Sequence, residues 1–337
     1  MRNILFALLL ILPSAASAWH KTPKANVADR KPPKGADAPI ALTTSAPNFC
    51  IFGGQSGKSY SGEAAFSAVV WRSDVVYVGE THDQPLDHLA QLEALKAMKI
   101  ARGSRIAVGF EMLDRTLQPA LDDYASGKIT EAEFLERTDW KREWGFDFSL
   151  YRPLFDFIRL NGLKALALNV PRAVVEKIAR SGLEGLTPEE RKYLPADLTV
   201  TKNKKYNEYL ENSYGGHDGP MAKVITFENY KASMAAWNES MGALIADFLA
   251  GNPGYEVLVV AGNGHLMYNA GIPASVRSRV KGVRQASFYT GQAEKCPEKL
   301  DPRDKGLAGY IWYIDHPAKP EAPGASAAKI STAAAPN

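Results

Sequence analysis

Two short apolar runs in the chain end in the same motif, a glycine followed three residues later by a histidine. Residues 75–78 (Val-Val-Tyr-Val) lead into Gly-Glu-Thr-His82, and residues 257–260 (Val-Leu-Val-Val) lead into Ala-Gly-Asn-Gly-His265. Uninterrupted runs of β-branched and aromatic residues predict buried strands. Ligands of open α/β sheets bind outside the carboxyl ends of the strands. The pattern therefore predicts that both histidines lie at one site.

Helical and strand patterns alternate between the two motifs. Pro85 opens a helical pattern, which stops at Arg102-Gly103, and a strand over Arg105–Phe110 follows with Glu111 at its end. Further strands are predicted over Leu163–Leu168 and, as the last of the chain, over Val283–Phe288. The order strand, helix, strand implies right-handed parallel crossovers. We expect an α/β fold with a largely parallel β-sheet flanked by helices and a smaller inserted helical subdomain.

The domain is expected to span residues 49–315, with helical insertions near residues 113–150 and 181–220. Residues 19–48 and 316–337 are rich in Pro, Ala and Lys without periodicity. Such composition predicts a disordered arm and a disordered tail.

The first 18 residues resemble a secretory signal peptide, with Arg2, an apolar run and the small residues Ala16-Ser17-Ala18. The sequence therefore predicts an exported protein, periplasmic or secreted, and soluble, because no lipid-accepting cysteine follows and no segment has the roughly 20 apolar residues of a transmembrane helix. Cys50 and Cys296 are predicted to form a disulfide, since exported proteins with paired cysteines usually bridge them.

Composition narrows the classes of partner. The chain has 337 residues, of which 45% are hydrophobic and 23% charged, as expected of a globular protein. Its formal net charge is +3, and no basic cluster is interleaved with aromatic residues. Nucleic acid is therefore not an expected partner.

Ionisable residues recur at the predicted strand ends, namely Glu80, His82, Glu111 and His265. Histidine nitrogens and carboxylates can bind a divalent metal, with His82, Glu111 and His265 as its ligands, or can act as a catalytic acid and base. The plainer alternative is that each is hydrogen-bonded locally and has no chemical role.

Several ordered motifs together resemble the ChaN-like haem-binding uptake proteins of the Tiki superfamily. The resemblance spans residues 75–288 and is carried by these segments: Gly79-Glu80-Thr81-His82-Asp83 with Asp87-His88 and Gln91, Gly109-Phe110-Glu111-Met112, Trp144-Gly145-Phe146-Asp147 with Tyr151-Arg152-Pro153-Leu154, Leu168-Asn169-Val170-Pro171-Arg172, and Ala261-Gly262-Asn263-Gly264-His265.

The resemblance implies an exported, iron-regulated protein that binds haem through a tyrosine, sometimes as stacked haem pairs across a homodimer. The haem-binding candidates in this chain are Tyr206, Tyr209, Tyr214, His217 and Tyr151. A phenolate oxygen favours ferric haem, and lysines near residues 202–205 suit the propionates. The alternative is that the tyrosine-rich helix is an ordinary exposed amphipathic helix.

The wider superfamily also includes metal-dependent proteases and erythromycin-esterase-like hydrolases, which use two Gly-x-x-His units and a glutamate. We therefore expect a haem-binding protein in haem or iron uptake, and the alternative is a metal-dependent hydrolase that uses Glu80, His82, Glu111 and His265. Whether the protein is an enzyme stays open on the sequence. The tyrosine-rich insert and the strand-end site are expected to be separate. His88 has two alternatives, facing the site or lying at the surface, and the surface is the favoured one. Trp140 and Trp144 are expected in the core rather than as a platform for a ligand.

Overall fold

The computed structural model describes residues 48–215 and 225–315. Seven β-strands and eleven α-helices lie within these residues. The strands are β1 (Phe49–Gly53), β2 (Val75–Glu80), β3 (Ile106–Asp114), β4 (Lys164–Asn169), β5 (Glu256–Gly262), β6 (Gln285–Ala293) and β7 (Tyr310–Asp315). The helices are α1 (Glu63–Trp71), α2 (Pro85–Arg102), α3 (Gln118–Ala125), α4 (Glu131–Thr138), α5 (Trp140–Glu143), α6 (Arg152–Asn161), α7 (Arg172–Ser181), α8 (Pro188–Arg191), α9 (Lys204–Gly215), α10 (Phe227–Gly251) and α11 (Ile272–Arg279).

The strands form one sheet in the order β1-β7-β6-β2-β5-β3-β4. β1 runs antiparallel to β7, and every other neighbouring pair is parallel. The predicted α/β class with a largely parallel sheet is confirmed. Because β2, β5 and β3 are parallel neighbours, their carboxyl ends meet at one edge of the sheet, where Glu80 pairs in register with Gly262.

Helices cover both faces of the sheet. Val76 and Val78 of β2 lie in a large core that includes side chains of α2 and α6, whereas Val75 and Tyr77 lie in a second core with side chains of α10. All residues of β2 are buried. A strand buried on both faces has no reason to alternate polar and apolar residues, which explains the continuous apolar run.

The edge of the sheet near β1 differs from the prediction. The strand predicted over Val283–Phe288 corresponds to β6, but it is not the last strand. β7 follows it and pairs with both β6 and β1. β7 was not predicted. It has the aromatic and β-branched composition of a strand, but the Pro-rich tail follows it directly in the sequence. β1 and α1 were also not predicted. The regions predicted to hold helical insertions contain α3, α4 and α5, and then α8 and α9.

Cys50 of β1 forms a disulfide with Cys296, which follows β6, with 5.8 Å between their Cα atoms. The predicted bridge is therefore present. None of the helices within residues 48–215 and 225–315 combines the length and the apolar character that a membrane span requires. The predicted signal peptide, nearly all of the predicted arm and the predicted tail lie outside the described residues.

Candidate functional site

The two Gly-x-x-His motifs lie side by side at the carboxyl edge of the sheet, and the glycine of each leaves room for a side chain of the other. A Cβ on Gly79 would lie 2.0 Å from Asn263 Oδ1 of the second motif. A Cβ on Gly262 would lie 2.8 Å from His82 Cε1 and 3.6 Å from Glu111 Oε2. Only glycine permits these approaches. The two motifs therefore interlock, and His82 lies over Glu111.

Glu80 is the centre of the first motif. His82 Nδ1 lies 2.8 Å from its Oε1, Tyr151 Oη donates to the same oxygen over 2.6 Å, and Gln91 Nε2 donates to Oε2 over 2.7 Å. Burial alone would lower the pKa of His82, but the hydrogen bond to Glu80 and the charge of Glu111 raise it above its ordinary value. Glu80 thus fixes the orientation of the His82 ring.

His88 lies behind Glu80 and is only 3% exposed. Its Nδ1 is 3.6 Å from Glu80 Oε2, its Nε2 is 3.1 Å from the carbonyl oxygen of His82, and its ring packs edge-on against Tyr151. The expected surface role of His88 was wrong, because His88 lies on the face of α2 that packs against β2.

The His82 side chain is 31% exposed, so its ring reaches the open side of the site. The rings of Trp144 and Phe146 lie 4.7 Å and 5.1 Å from the His82 ring, measured between centroids. Trp144 Nε1 also donates to Tyr151 Oη over 3.0 Å. Trp144 packs against the main core, as expected, and also forms a wall of the site, and Trp140 is buried as expected.

The histidine of the second motif is buried, and both of its ring nitrogens contact protein groups. His265 is 7% exposed, with Nε2 at 3.1 Å from Glu111 Oε1 and Nδ1 at 2.8 Å from Asn238 Oδ1. The Gly262 amide donates to Glu111 Oε2 over 2.6 Å. Burial alone would raise the pKa of Glu111, but His265, His82 and this amide lower it to about 2.

Asn238 was missed by the sequence analysis. It is a buried polar residue of the amphipathic helix α10, and a polar residue on the apolar side of a helix was the one signal that could have identified it.

The tyrosine-rich helix α9 docks on the second motif. Tyr206 is buried, donates to the Gly264 carbonyl over 3.0 Å and accepts from Asn238 Nδ2 over 2.9 Å. Tyr209 stacks on Tyr206, and its Oη lies 2.6 Å from the position of a Cβ on Gly264. The expectation that the insert and the strand-end site are separate was wrong, because α9 packs directly on the turn that carries His265.

The other haem-binding candidates have engaged hydroxyls or lie outside the described residues. Tyr151 is fully buried between Glu80 and Trp144, and Tyr214 donates to the Ile225 carbonyl over 2.6 Å. His217 falls in the part of the chain that the structure does not describe. Tyr209 differs from them: it is half-buried, and its hydroxyl has no hydrogen-bond partner among the described residues.

Two further half-buried tyrosines, Tyr268 and Tyr289, pack with Tyr209 against the same small apolar cluster. We call Tyr209, Tyr268 and Tyr289 the tyrosine surface. Tyr268 has a left-handed backbone with φ of 56°, and its amide donates to the Leu307 carbonyl over 2.5 Å. Left-handed backbone at a residue other than glycine is strained and is often found at functional sites.

The geometry does not support the metal site expected on His82, Glu111 and His265. Among residues 48–215 and 225–315, no group of three or more His, Cys, Asp and Glu side chains is arranged to hold a metal ion. Both ring nitrogens of His265 already contact protein groups, Glu111 and Asn238.

Comparisons with known proteins agree with this architecture. Residues 67–276 match the family described as haem-binding uptake, Tiki superfamily, ChaN. A curated relative, the chloroplastic protein RETICULATA-RELATED 5 of Arabidopsis thaliana, is 23% identical over 256 residues, which are 71% of this chain and 34% of that protein. The chain thus spans about a third of the length of that relative.

Among solved structures, ChaN of Campylobacter jejuni, described with cofacial haem binding, is similar with a TM-score of 0.60 and 19% identity, over 80% of this chain and 97% of that one. An erythromycin esterase in its open conformation matches with a TM-score of 0.42 and 12% identity, over 79% of this chain and 83% of that one. Because the family match covers more than half of the sequence, the chain belongs to the ChaN family of haem-binding uptake proteins in the Tiki superfamily.

Proposed function

We propose that this protein binds ferric haem at the carboxyl edge of its sheet and takes part in haem or iron uptake outside the cytoplasm. Membership of a haem-binding uptake family supports the proposal. The observation that carries it for this chain is Tyr209, a half-buried phenol beside the second Gly-x-x-His motif.

Tyr209 fits the role of the axial ligand better than the other described candidates. The hydroxyls of Tyr206, Tyr151 and Tyr214 each donate to a protein oxygen, so binding iron would break an existing hydrogen bond. The Tyr209 hydroxyl has no such bond among the described residues. A tyrosine oxygen is an established axial ligand of haem iron, and the bound haem would supply the iron chemistry.

The surroundings of Tyr209 also fit haem. The tyrosine surface and the half-buried Trp237 offer aromatic area of the kind that binds flat apolar ligands. Lys202, Lys204 and Lys205 are exposed at the start of α9, where they can pair with carboxylates. The residues present therefore suit both the porphyrin plane and the propionates.

Export is part of the proposal. The Cys50–Cys296 disulfide supports it, because disulfides persist in oxidising compartments and are rare in the cytosol. The signal peptide over the first 18 residues stays a sequence prediction.

Titration of the purified protein with hemin, followed by absorption spectroscopy, tests the proposal. We expect a high-spin ferric spectrum with a phenolate charge-transfer band that is lost in Tyr209→Phe and retained in Tyr214→Phe, the matched control on the same helix. Hemin binding with an unchanged band in Tyr209→Phe would refute the ligand, and absence of binding would refute the function. Sedimentation of the same samples tests whether haem is bound by a homodimer.

A second candidate function, hydrolysis, is favoured by the orientation of His82. Its Nδ1 is held by Glu80 and its ring is partly exposed, which is the arrangement of a general base supported by a carboxylate. A chromogenic ester assayed with and without EDTA tests this candidate and its metal dependence. We expect His82→Ala to abolish any turnover if this candidate is right, and equal rates in both proteins would exclude His82 as the base.

A further inference from the structure

The amino edge of the sheet, opposite the strand-end site, carries a pocket that the haem proposal does not use. The pocket has a volume of about 530 Å³ and lies between α1, the turn that follows β1, and the starts of β6 and β7. Pockets of this size commonly hold small organic ligands. We infer that this pocket, which we call the amino-edge pocket, binds a small organic anion, a carboxylate on a flat apolar body, through Arg72 and Lys58.

The charge of the amino-edge pocket is positive. Its described lining includes Lys58, Arg72 and Arg284 and no acidic side chain. Arg284 is neutralised by Asp74, because its Nε donates to Asp74 Oδ2 over 3.0 Å and its amide donates to the same oxygen over 2.9 Å. Arg72 is exposed, and its side chain has no hydrogen bond or ion pair within the described part of the chain. A guanidinium can bind a carboxylate through two parallel hydrogen bonds, so Arg72 is placed to hold the anion.

Two tyrosine rings form an aromatic wall beside these cations. Tyr60 and Tyr310 are both half-buried, and their rings meet edge to face with 5.2 Å between centroids. The Tyr310 ring also stacks on the buried Phe288 ring at 5.0 Å, and the Tyr60 amide donates to the Ile51 carbonyl over 2.7 Å. The Lys58 ammonium lies 5.5 Å from the centroid of the Tyr60 ring. Both rings are held in place before a ligand arrives, which lowers the entropy cost of binding a flat apolar group.

Small side chains of α1 leave the space that the ligand would fill. Ala65, Ala68 and Val69 of α1 and Arg72 at its C-terminal cap recur at helical spacing along the pocket. The two alanines are half-buried, whereas the neighbouring Phe66 packs in the main core. A larger side chain at position 68 would occupy the pocket, so its volume can be removed without changing either cation.

Isothermal titration calorimetry of the purified protein with 2-naphthoate tests the inference. We expect saturable binding that weakens at least about tenfold in Arg72→Gln, because a charge-assisted interaction is lost. Ala68→Phe should also abolish binding, since the added ring fills the pocket. Arg180→Gln, which removes an exposed arginine of α7, is the matched control and should leave the affinity unchanged.

Inorganic phosphate and 2-naphthol separate the two halves of the ligand, and 2-naphthoate should bind more tightly than either. Phosphate that binds as tightly would contradict the aromatic wall, and naphthol that binds as tightly would contradict the cations.

Absence of naphthoate binding, or an unchanged affinity in Arg72→Gln, would overturn the inference. Thermal unfolding of each variant separates loss of binding from loss of fold. Arg72 is exposed, so Arg72→Gln decides the test even if Ala68→Phe does not fold. Hemin is absent from these titrations, so their result is independent of the haem proposal.

Discussion

The two Gly-x-x-His motifs each begin at the carboxyl end of a parallel strand, β2 or β5, yet they present their histidines differently. His82 is partly exposed between Trp144 and Phe146, with one nitrogen engaged. His265 is buried under α10, with both nitrogens engaged. The difference arises from the elements that cover each motif. A shared sequence motif therefore fixes where a histidine lies but not whether it is available for chemistry.

The largest effect is expected from removing the carboxylate of the first motif. Glu80→Ala leaves the buried donors of Tyr151, Gln91 and His82 without their acceptor. Breaking a buried charged network in this way costs about 3–5 kcal/mol of unfolding free energy. Denaturant unfolding measures it, and a loss below about 1 kcal/mol would show that Glu80 is not the centre of the motif.

Glu111 of β3, which pairs with His265 of the second motif, should stabilise the fold only when it is ionised. The pKa of Glu111 falls from 4.5 to about 2 on folding, so its contribution is present above about pH 4.5 and is lost as the pH falls towards 2. The shift corresponds to about 3 kcal/mol. We expect the stability difference between wild type and Glu111→Gln to shrink by this order between pH 5 and pH 2, and a constant difference would contradict the buried ion pair.

Asp87, at the base of the first motif, should act in the opposite direction. Its carboxylate accepts from the Thr81 amide and from Gln292, but burial outweighs these bonds and raises its pKa from 3.8 to about 6. The folded state therefore binds the proton more tightly, and this contribution is present below about pH 4 and lost as the pH rises through 6.

Relative to Asp87→Asn, the wild type should lose about 2–3 kcal/mol of stability between pH 4 and pH 7. Parallel pH series of the two proteins measure this loss. A difference that grows in favour of the wild type with rising pH would mean that the hydrogen bonds, and not burial, dominate at Asp87.

The smallest effect distinguishes two neighbouring tyrosines. Tyr206→Phe removes the hydrogen-bond partner of Asn238 Nδ2 and of the Gly264 carbonyl and should cost about 1–2 kcal/mol. Tyr209→Phe removes no hydrogen bond among the described residues and should change the unfolding free energy by less than about 0.5 kcal/mol. If thermal unfolding showed equal losses of stability for Tyr206→Phe and Tyr209→Phe, the difference in hydrogen bonding between the two tyrosines would be contradicted.

Local signals predicted much of the fold. The apolar run of β2 and the proline that begins α2 gave boundaries close to those observed, because these signals depend on neighbouring residues alone. We could predict that His82, Glu111 and His265 lie close together because the carboxyl ends of parallel strands lie at one edge of the sheet. These predictions needed no knowledge of side-chain packing.

The parts that could not be predicted depend on contacts between distant segments. His88 is buried because α2 packs over Glu80, and Asn238 reaches His265 from a helix 27 residues earlier in the chain. The docking of Tyr206 on Gly264 spans 58 residues. No local pattern encodes such contacts, so the sequence placed the tyrosine helix and the strand-end site apart although they form one site.

The position of bound iron tests the central claim most directly. Crystals of the protein with hemin, measured for anomalous scattering at the iron edge, should place the iron within coordinating distance of Tyr209 Oη, with the porphyrin against the tyrosine surface. Iron coordinated by another residue, or haem bound away from the carboxyl edge of the sheet, would contradict the account.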